Sequence, residues 1–427
     1  MILYCILIGF GFLGINWLVR ILRTNHKLNL LRKNNDENVD FPIYVLIPVL
    51  DEHNRIKKTV DYFHKHFSHL DQLKLVLITT EKEFDYNKEG KTLITSSLLK
   101  KKYTDFLSII HYPKRKGNMA HQLNYAITKL RNKNAWFAIY NADSRPDKKT
   151  FTWIGNIIKK IPNINVFQQY GDYSENISPF KGIKNLILVP AASWQNRWSI
   201  GFELNHNFNQ FSNFFTFKKQ VMNYCIGHGL IFKDKVYDKV GGFSEDMHNE
   251  DAIFGLKLSY LKERIVPLPF YDLSDSPDSI YGLYTQKANW FFGPLQSFKY
   301  YCNIIKEKNW NKYTLFKLCF SLFTHAIWWV IGPTLFFISI ILLIFNFSTI
   351  AILFWLMVYL IFLPIPNILS HYLVSKKLNL KIIFCNLFGA GFVYLLHGLS
   401  AYRTLFLILL SRLFNYNIKK GKTDMKK

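Results

Sequence analysis

Residues 2–19 carry no charge, and neither does the whole of Leu318–His371. Each stretch is long enough to cross a bilayer as a helix. A chain with this pattern folds partly in lipid. Arg20, Arg23, Lys27, Arg32 and Lys33 follow the first stretch, with no acid before Asp36. A cleaved leader would want a basic start and a small-residue cleavage site; the run reads instead as a retained span. The positive-inside rule then puts the N-terminus outside and the next domain in the cytoplasm. In the C-terminal third, Pro333 and the 346–348 break suggest an interfacial or kinked piece followed by two spans. Lys376, Lys377 and Lys381 come next. The apolar 382–410 segment, with Arg403 embedded, is long for one span and short for two, so one span plus an interfacial or re-entrant piece is expected. The expected division is an N-terminal transmembrane helix at 1–23, a cytoplasmic domain at 24–312, C-terminal transmembrane and interfacial helices at 313–411, and a basic cytoplasmic tail at 412–427. The chain should be a multi-pass protein of the cell membrane.

The domain after the first span alternates strands with helices. Tyr44–Ile47, Lys74–Thr79, Phe106–His111 and Trp136–Tyr140 are apolar runs of strand length, and Val166–Tyr170 is a fifth candidate. Between the third and fourth, Ala120, Leu123, Ile127 and Leu130 keep three- and four-residue spacing, which predicts a helix opening near Gly117. Repeated strand–helix units predict an α/β domain with a mostly parallel sheet. Asn34–Asn38 reads as the linker from the first span. Residues 90–102 read as a variable surface segment.

Asn141-Ala-Asp143 closes the Trp136–Tyr140 run. Ligands of open α/β sheets bind outside the C-terminal strand edges, and a carboxylate held there suits a hard divalent cation. Asp-Ser-Arg-Pro-Asp is also ordinary turn chemistry. Asn249-Glu250-Asp251 offers a candidate general base at Asp251, and Glu-Asp is equally an ordinary helix start. Gln286 and Trp290 could form a stacking platform, or Trp290 could anchor a membrane interface. Pro48 and Glu52 follow the first strand. Lys116 and Gly117 precede a helix N-terminus, a combination that favours a diphosphate. Gly227-His228-Gly229 and Gly241-Gly242-Phe243 are loops where backbone can approach a ligand closely. His228 could donate to a sugar or simply support its loop.

Taken in order, these motifs resemble membrane family-2 glycosyltransferases of the cellulose synthase, hyaluronan synthase and poly-N-acetylglucosamine synthase type. The matching set is Pro-x-x-Asp-Glu at 48–52, Gly-Asn-x-x-x-Gln-Leu-Asn at 117–124, Asn-Ala-Asp at 141–143, Gly-Gly-Phe at 241–243, Glu-Asp at 250–251 and Gln-x-x-x-Trp at 286–290. The resemblance covers 41 to about 295. It implies a GT-A (Rossmann-like) domain flanked by transmembrane helices, a nucleotide-diphosphate sugar donor such as a UDP-sugar, and Mg2+ or Mn2+ at Asp143. It also implies Asp251, with Glu250, as the catalytic pair and inversion at the anomeric carbon. On that basis Pro48, Glu52, Glu81, Lys116, Gly117, Asn141 and Asp143 would hold the donor, and His228, Gln286 and Trp290 the acceptor. Three positions depart from the pattern. Asn141 stands for the first Asp of Asp-x-Asp, Glu81 for an Asp that contacts the base, and Asn289 for the Arg before Trp290.

The expected partners are a nucleotide sugar, a glycan or lipid-linked acceptor, and membrane lipids. The expected role is cell-surface polysaccharide synthesis. The alternatives are a single-sugar transferase acting on a lipid acceptor, and an inactive membrane scaffold that keeps the fold. Lys and Arg number 54 against 29 Asp and Glu, a net charge of +25. That balance suits anionic headgroups and a diphosphate, or reflects a Lys/Asn/Ile-rich source. The basic residues are spread out and no nucleic-acid module is present, which argues against nucleic acid. Cys5, Cys225, Cys302, Cys319 and Cys385 lack metal-ligand spacing and fit reduced thiols.

Overall fold

The computed structural model describes residues 1–32, 39–85, 89–131, 134–177, 182–211, 222, 225–247, 249–307, 310–345 and 347–414. The 34–38 linker, Asn346 of the expected break and the tail from 415 lie outside the described residues. The described residues divide into two compact units, one within 28–171 and 207–274, the other within 1–27, 172–206 and 275–414.

The first unit is built on an eight-stranded sheet. Its strands are β1 (Ile43–Pro48), β2 (Leu73–Thr80), β3 (Leu107–Tyr112), β4 (Trp136–Ile139), β5 (Arg145–Pro146), β6 (Val166–Asp172), β7 (Leu230–Lys233) and β8 (Ile265–Leu273), in the order β3-β2-β1-β4-β7-β6-β8-β5. β1 pairs parallel with β2 and β4, and β2 with β3. Four strands therefore end at one edge, and the strand order reverses at β1, the position where such sheets bind ligands. β7 runs antiparallel between β4 and β6. The fifth expected strand is thus present as β6, but it joins the sheet through a strand from sixty residues later rather than directly. The four-residue β7 gave no separate apolar signal of its own.

The helices α2 (His53–Phe67), α3 (Lys91–Lys102), α4 (Met119–Leu130) and α5 (Thr150–Lys160) cross between strands. α4 begins where expected. Asn118 caps it, its side chain accepting from the His121 N–H at 3.3 Å, and Ala120, Leu123, Ala126 and Ile127 form the buried face. Rings of Phe63, Phe67, Phe151 and Tyr140 interlock beneath α2, with centroids 5.0–5.8 Å apart. Burying each such ring contributes roughly 1.5–3 kcal/mol. The expected surface segment at 90–102 is the helix α3, largely exposed but with one buried face. Its buried face is Thr92, Ser96 and Leu99, while Ile94 and Leu98 are exposed, so apolar spacing could not reveal it.

The second unit carries α6 (Asn185–Trp198), which continues through a π-helical turn at Ser199–Glu203 into α7 (Leu204–Phe211). In the sheet unit, α8 (Asp234–Val240) and α9 (Glu250–Tyr260) follow β7. The second unit resumes with α10 (Ile280–Leu295), α11 (Ser297–Glu307), α12 (Lys312–Phe345), α13 (Thr349–Phe362), α14 (Pro364–Ser375) and α15 (Leu380–Leu413); the chain opens with α1 (Ile2–Leu31). Among the described residues four helical stretches are long and apolar enough to cross a membrane: α1, α12, α13 with α14, and α15. Two expectations change here. Pro333 lies inside the continuous α12, and Gly398 of α15 makes room for it, since a Cβ there would sit 2.6 Å from Pro333 Cβ. Small residues permit such close helix packing in lipid. Residues 382–410 form one helix, α15, in place of a span plus a separate piece. Asn379 caps it by accepting from the Ile382 N–H at 2.9 Å. At 1.5 Å per residue the helix is about 50 Å long, more than the hydrocarbon layer requires.

Candidate active site

The C-terminal edges of β1, β2, β3 and β4 bring four motifs together. Pro48–Glu52 leaves β1, with Asp51 in the left-handed region at φ 55°. A non-glycine residue held there stores strain that only surrounding structure can maintain. Part of that support is α3. The Glu52 N–H donates to Thr92 Oγ1 at 3.0 Å, and the Thr92 N–H donates to Glu83 Oε1 at 2.7 Å. Glu81 follows β2, 3.1 Å from His111 Nε2, while His111 Nδ1 lies 3.0 Å from Thr79 Oγ1. Lys82 Nζ donates to the Gly117 carbonyl at 2.9 Å, and Lys116 beside it is exposed.

Asn141–Ser144 is a tight turn after β4. The Ser144 N–H donates to the Asn141 carbonyl at 3.1 Å, and Thr59 Oγ1 donates to the Ala142 carbonyl. Asp143 is half-buried on this turn. The turn is tied down by Asp272, fully buried at the end of β8. Its carboxylate accepts from Ser144 Oγ at 2.7 Å and from the Arg145 N–H at 2.7 Å. The same carboxylate takes Ser274 Oγ at 3.2 Å and His228 Nδ1 at 3.0 Å. A carboxylate with this many donors fixes the orientation of the histidine ring.

His228 sits on the loop that enters β7. The Gly229 N–H donates to the Ile139 carbonyl at 2.7 Å, and the Gln169 N–H donates to the Gly229 carbonyl at 2.7 Å. Gln168 Nε2 donates to the His228 carbonyl at 2.8 Å. The loop is thereby laid against the end of β4. Gly229 has φ 66°, and a Cβ on it would lie 2.7 Å from Gln169 Cβ. Gly229→Ala should cost about 1–2 kcal/mol in backbone strain alone, with the clash added. Thermal unfolding of the detergent-purified protein checks this; an unchanged midpoint would mean that the loop relaxes freely.

Asp251 opens α9, half-buried, its Oδ1 accepting from the Ala252 N–H at 2.8 Å. A Cβ on Gly227 would sit 3.3 Å from its Oδ2, so the carboxylate faces the loop that carries His228. Burial pushes the nearby Cys225 thiol well up, and the Asp251 charge adds to the shift. Glu250 is buried beside it. α9 is held by Phe254, stacked 4.6 Å from Phe243 of the Gly-Gly-Phe loop. Asn124 ties that loop to α4, accepting from the Phe243 N–H at 3.0 Å and donating to its carbonyl at 2.9 Å. Gln122 donates to the Ile78 carbonyl at 2.9 Å. The Gln-Leu-Asn and Gly-Gly-Phe motifs thus brace the edge on which Asp251 stands.

Gln286 and Trp290 belong to the other unit, on α10, both half-buried. Between them Lys287 is buried, donating to Gln195 Oε1 at 2.7 Å with its ammonium 4.1 Å from the Trp290 ring centroid. Burial pulls its pKa down to about 7. Lys287 and Asp272 were missed in the sequence. A lone Lys on a helix and an Asp after an apolar strand carry no pattern until their partners are known.

Among the described residues no group of three or more His, Cys, Asp or Glu side chains converges as a metal cage. A hard cation at this edge would take oxygen from Asp143 and the rest from substrate phosphates, the usual mode for Mg2+. The donor set fits that arrangement.

Residues 179–365 match the family model described as glycosyl transferase family group 2. Asp251, Gln286 and Trp290 fall inside the match; Asn141 and Asp143 precede it. No curated protein matches the chain. Among solved structures it is similar to the mannosyltransferase PcManGT from Pyrobaculum calidifontis, in complex with GDP-Man and Mn2+. That likeness has a TM-score of 0.51 and 13% identity over 97% of this chain and 100% of that one. It also aligns with S. aureus TarS 1–349 in complex with UDP-GlcNAc, at TM-score 0.41 and 11% identity, over 85% and 91% of the two chains. The fold is that of a GT-A glycosyltransferase. The family-2 match takes in 179–365, and among the described residues four helical stretches are long and apolar enough to cross a membrane.

Proposed function

We propose that the protein moves a sugar from a nucleotide-diphosphate donor to a glycan or lipid-linked acceptor, with inversion, on the cytoplasmic side of the membrane. The observation that carries this reading is the sheet edge itself, where Asp272 ties the Asn141–Ser144 turn to His228 and Asp251 faces the His228 loop. The acceptor hydroxyl oxygen attacks the anomeric carbon as the diphosphate leaves, and Asp251 takes the hydroxyl proton. A divalent cation, Mg2+ or Mn2+, would neutralise charge on the leaving diphosphate. Asp143 contributes the rigid carboxylate for it. His228, held by Asp272, donates toward the sugar, and Glu250 supports Asp251. Pro48, Glu52, Glu81, Lys116, Gly117 and Asn141 line the donor side. Turnover of UDP- and GDP-sugars by the membrane-embedded protein, with sizing of products, tests the reading. Failure of every donor to bind would overturn it, and binding without turnover would favour an inactive scaffold.

The acceptor platform is assigned to Trp290 and Gln286. An indole offers a flat apolar face to a sugar ring, and residues four apart share a helix face. Trp290→Ala is expected to lower transfer to acceptor by at least tenfold while donor hydrolysis falls less, and Trp290→Phe should recover part of the loss. Parallel loss of protein abundance and of both activities would mark Trp290 as an anchor instead.

The basic flank of α1 supports an inside location for the sheet-bearing unit under the positive-inside rule. Cysteines introduced near 90 and near 420 are expected to resist impermeant labelling in intact cells. Labelling at 90 from outside would overturn the cytoplasmic donor.

A further inference from the structure

We propose that a polar seam between α6, α14 and α15 binds a phosphate group, carried by a lipid or free in solution. The inference stands apart from the transfer reading and begins with Arg197, which is 1% exposed. Its guanidinium carbon lies 4.4 Å from the Trp17 ring centroid, 4.8 Å from Trp194 and 5.5 Å from Phe362. No carboxylate acts on it among the described residues. An ionisable group buried in a membrane bundle is expensive and marks function by default.

One arm of the side chain has a structural explanation. α13 and α14 are two halves of a broken span, and Pro366 has no N–H to offer the Phe362 carbonyl. Arg197 Nη1 donates to that carbonyl at 2.7 Å, and lies 3.4 Å from Asn367 Oδ1 in the first turn of α14. This leaves Nε and Nη2, both buried without a partner.

The orphaned atoms continue along α14. Asn367 Nδ2, Ser370 Oγ and His371 Nε2 are buried and unpartnered, on residues at most 1% exposed. Positions 367, 370 and 371 share one helix face. His371 Nδ1 lies 3.2 Å from Ser193 Oγ, one turn before Arg197 on α6. Asn386 of α15 donates to Ser193 Oγ at 3.1 Å, and its own Oδ1 is unpartnered. Buried polar atoms are paired in the great majority of cases, so this concentration needs a chemical reason. The set has one fixed cation, several donors and no acid, at the N-terminal end of α14, where the helix dipole favours negative charge. Guanidinium presents paired N–H groups that match phosphate oxygens.

The test uses the full chain purified in detergent. Inorganic phosphate, a polyprenyl phosphate and the matching polyprenol are titrated separately while thermal unfolding is followed. A saturable rise in midpoint with a phosphate species, and none with polyprenol, is expected. A rise with inorganic phosphate alone identifies a free ion as the occupant; a rise with polyprenyl phosphate identifies a headgroup. Ser370→Ala leaves the Arg197 bond to Phe362 intact and should weaken Kd about tenfold, and Arg197→Gln should abolish the response. The proposal fails if neither phosphate species shifts the midpoint, or if polyprenol shifts it equally. It also fails if the variants respond as the parent does, since the phosphate would then be bound at the sheet edge. Should Arg197→Gln not accumulate, Ser370→Ala and Asn367→Ala decide the matter.

Discussion

Asp251→Asn should slow sugar transfer by about two to four orders of magnitude, the usual cost of losing a general base, while donor binding changes by no more than a few fold. The substitution keeps the size of the side chain and the Oδ1 that accepts from the Ala252 N–H. It removes the negative charge that faces Gly227. Single-turnover transfer measured beside nucleotide affinity separates the two effects. A variant that loses the donor yet keeps its rate constant would show that Asp251 holds the nucleotide and does not take the proton.

Asp143→Asn should take transfer to the detection limit. Neutralising a diphosphate as it leaves is worth several kcal/mol in the transition state, and Asp143 is the half-buried carboxylate of the turn after β4. The fold should be spared. The turn is held by Asp272, Ser144 and Thr59, none of which the substitution touches. Activity as a function of Mn2+ and Mg2+, with thermal unfolding alongside, checks the expectation. Near-normal transfer by the variant, or full activity of the parent in chelator, would remove the metal from the reading.

The strand-edge position of Asn141–Asp143 was legible because a buried parallel strand is a continuous apolar run and its end is marked by polar turn residues. The helix of Ala120, Leu123 and Ile127 was legible from its spacing. α3 was not, because the face it buries is mainly Thr92 and Ser96. β7 was not, because four residues do not establish a period and its partners β4 and β6 lie far away in sequence. The single helix α15 was obscured by Arg403, which interrupts the apolar pattern but sits with its guanidinium 5.2 Å from the Tyr284 ring.

The site divides in the same way. Residue type and local pattern determined that carboxylates would stand at 143 and 251, one after a strand and one at a helix start, and that the chain would carry helices long and apolar enough to cross a membrane. Those features depend on hydrophobic period and backbone propensity, which act over a few residues. Only the tertiary structure decided that Asp272 would collect Ser144, Arg145, Ser274 and His228, that Gly227 would bring the histidine loop beside Asp251, and that Arg197 would meet the broken span at Phe362. Ser144 and Asp272 are 128 residues apart, and Arg197 and Phe362 are 165 apart. Pairings at that separation follow from which faces pack in the folded chain, and a buried polar group acquires its role from the partner that packing supplies.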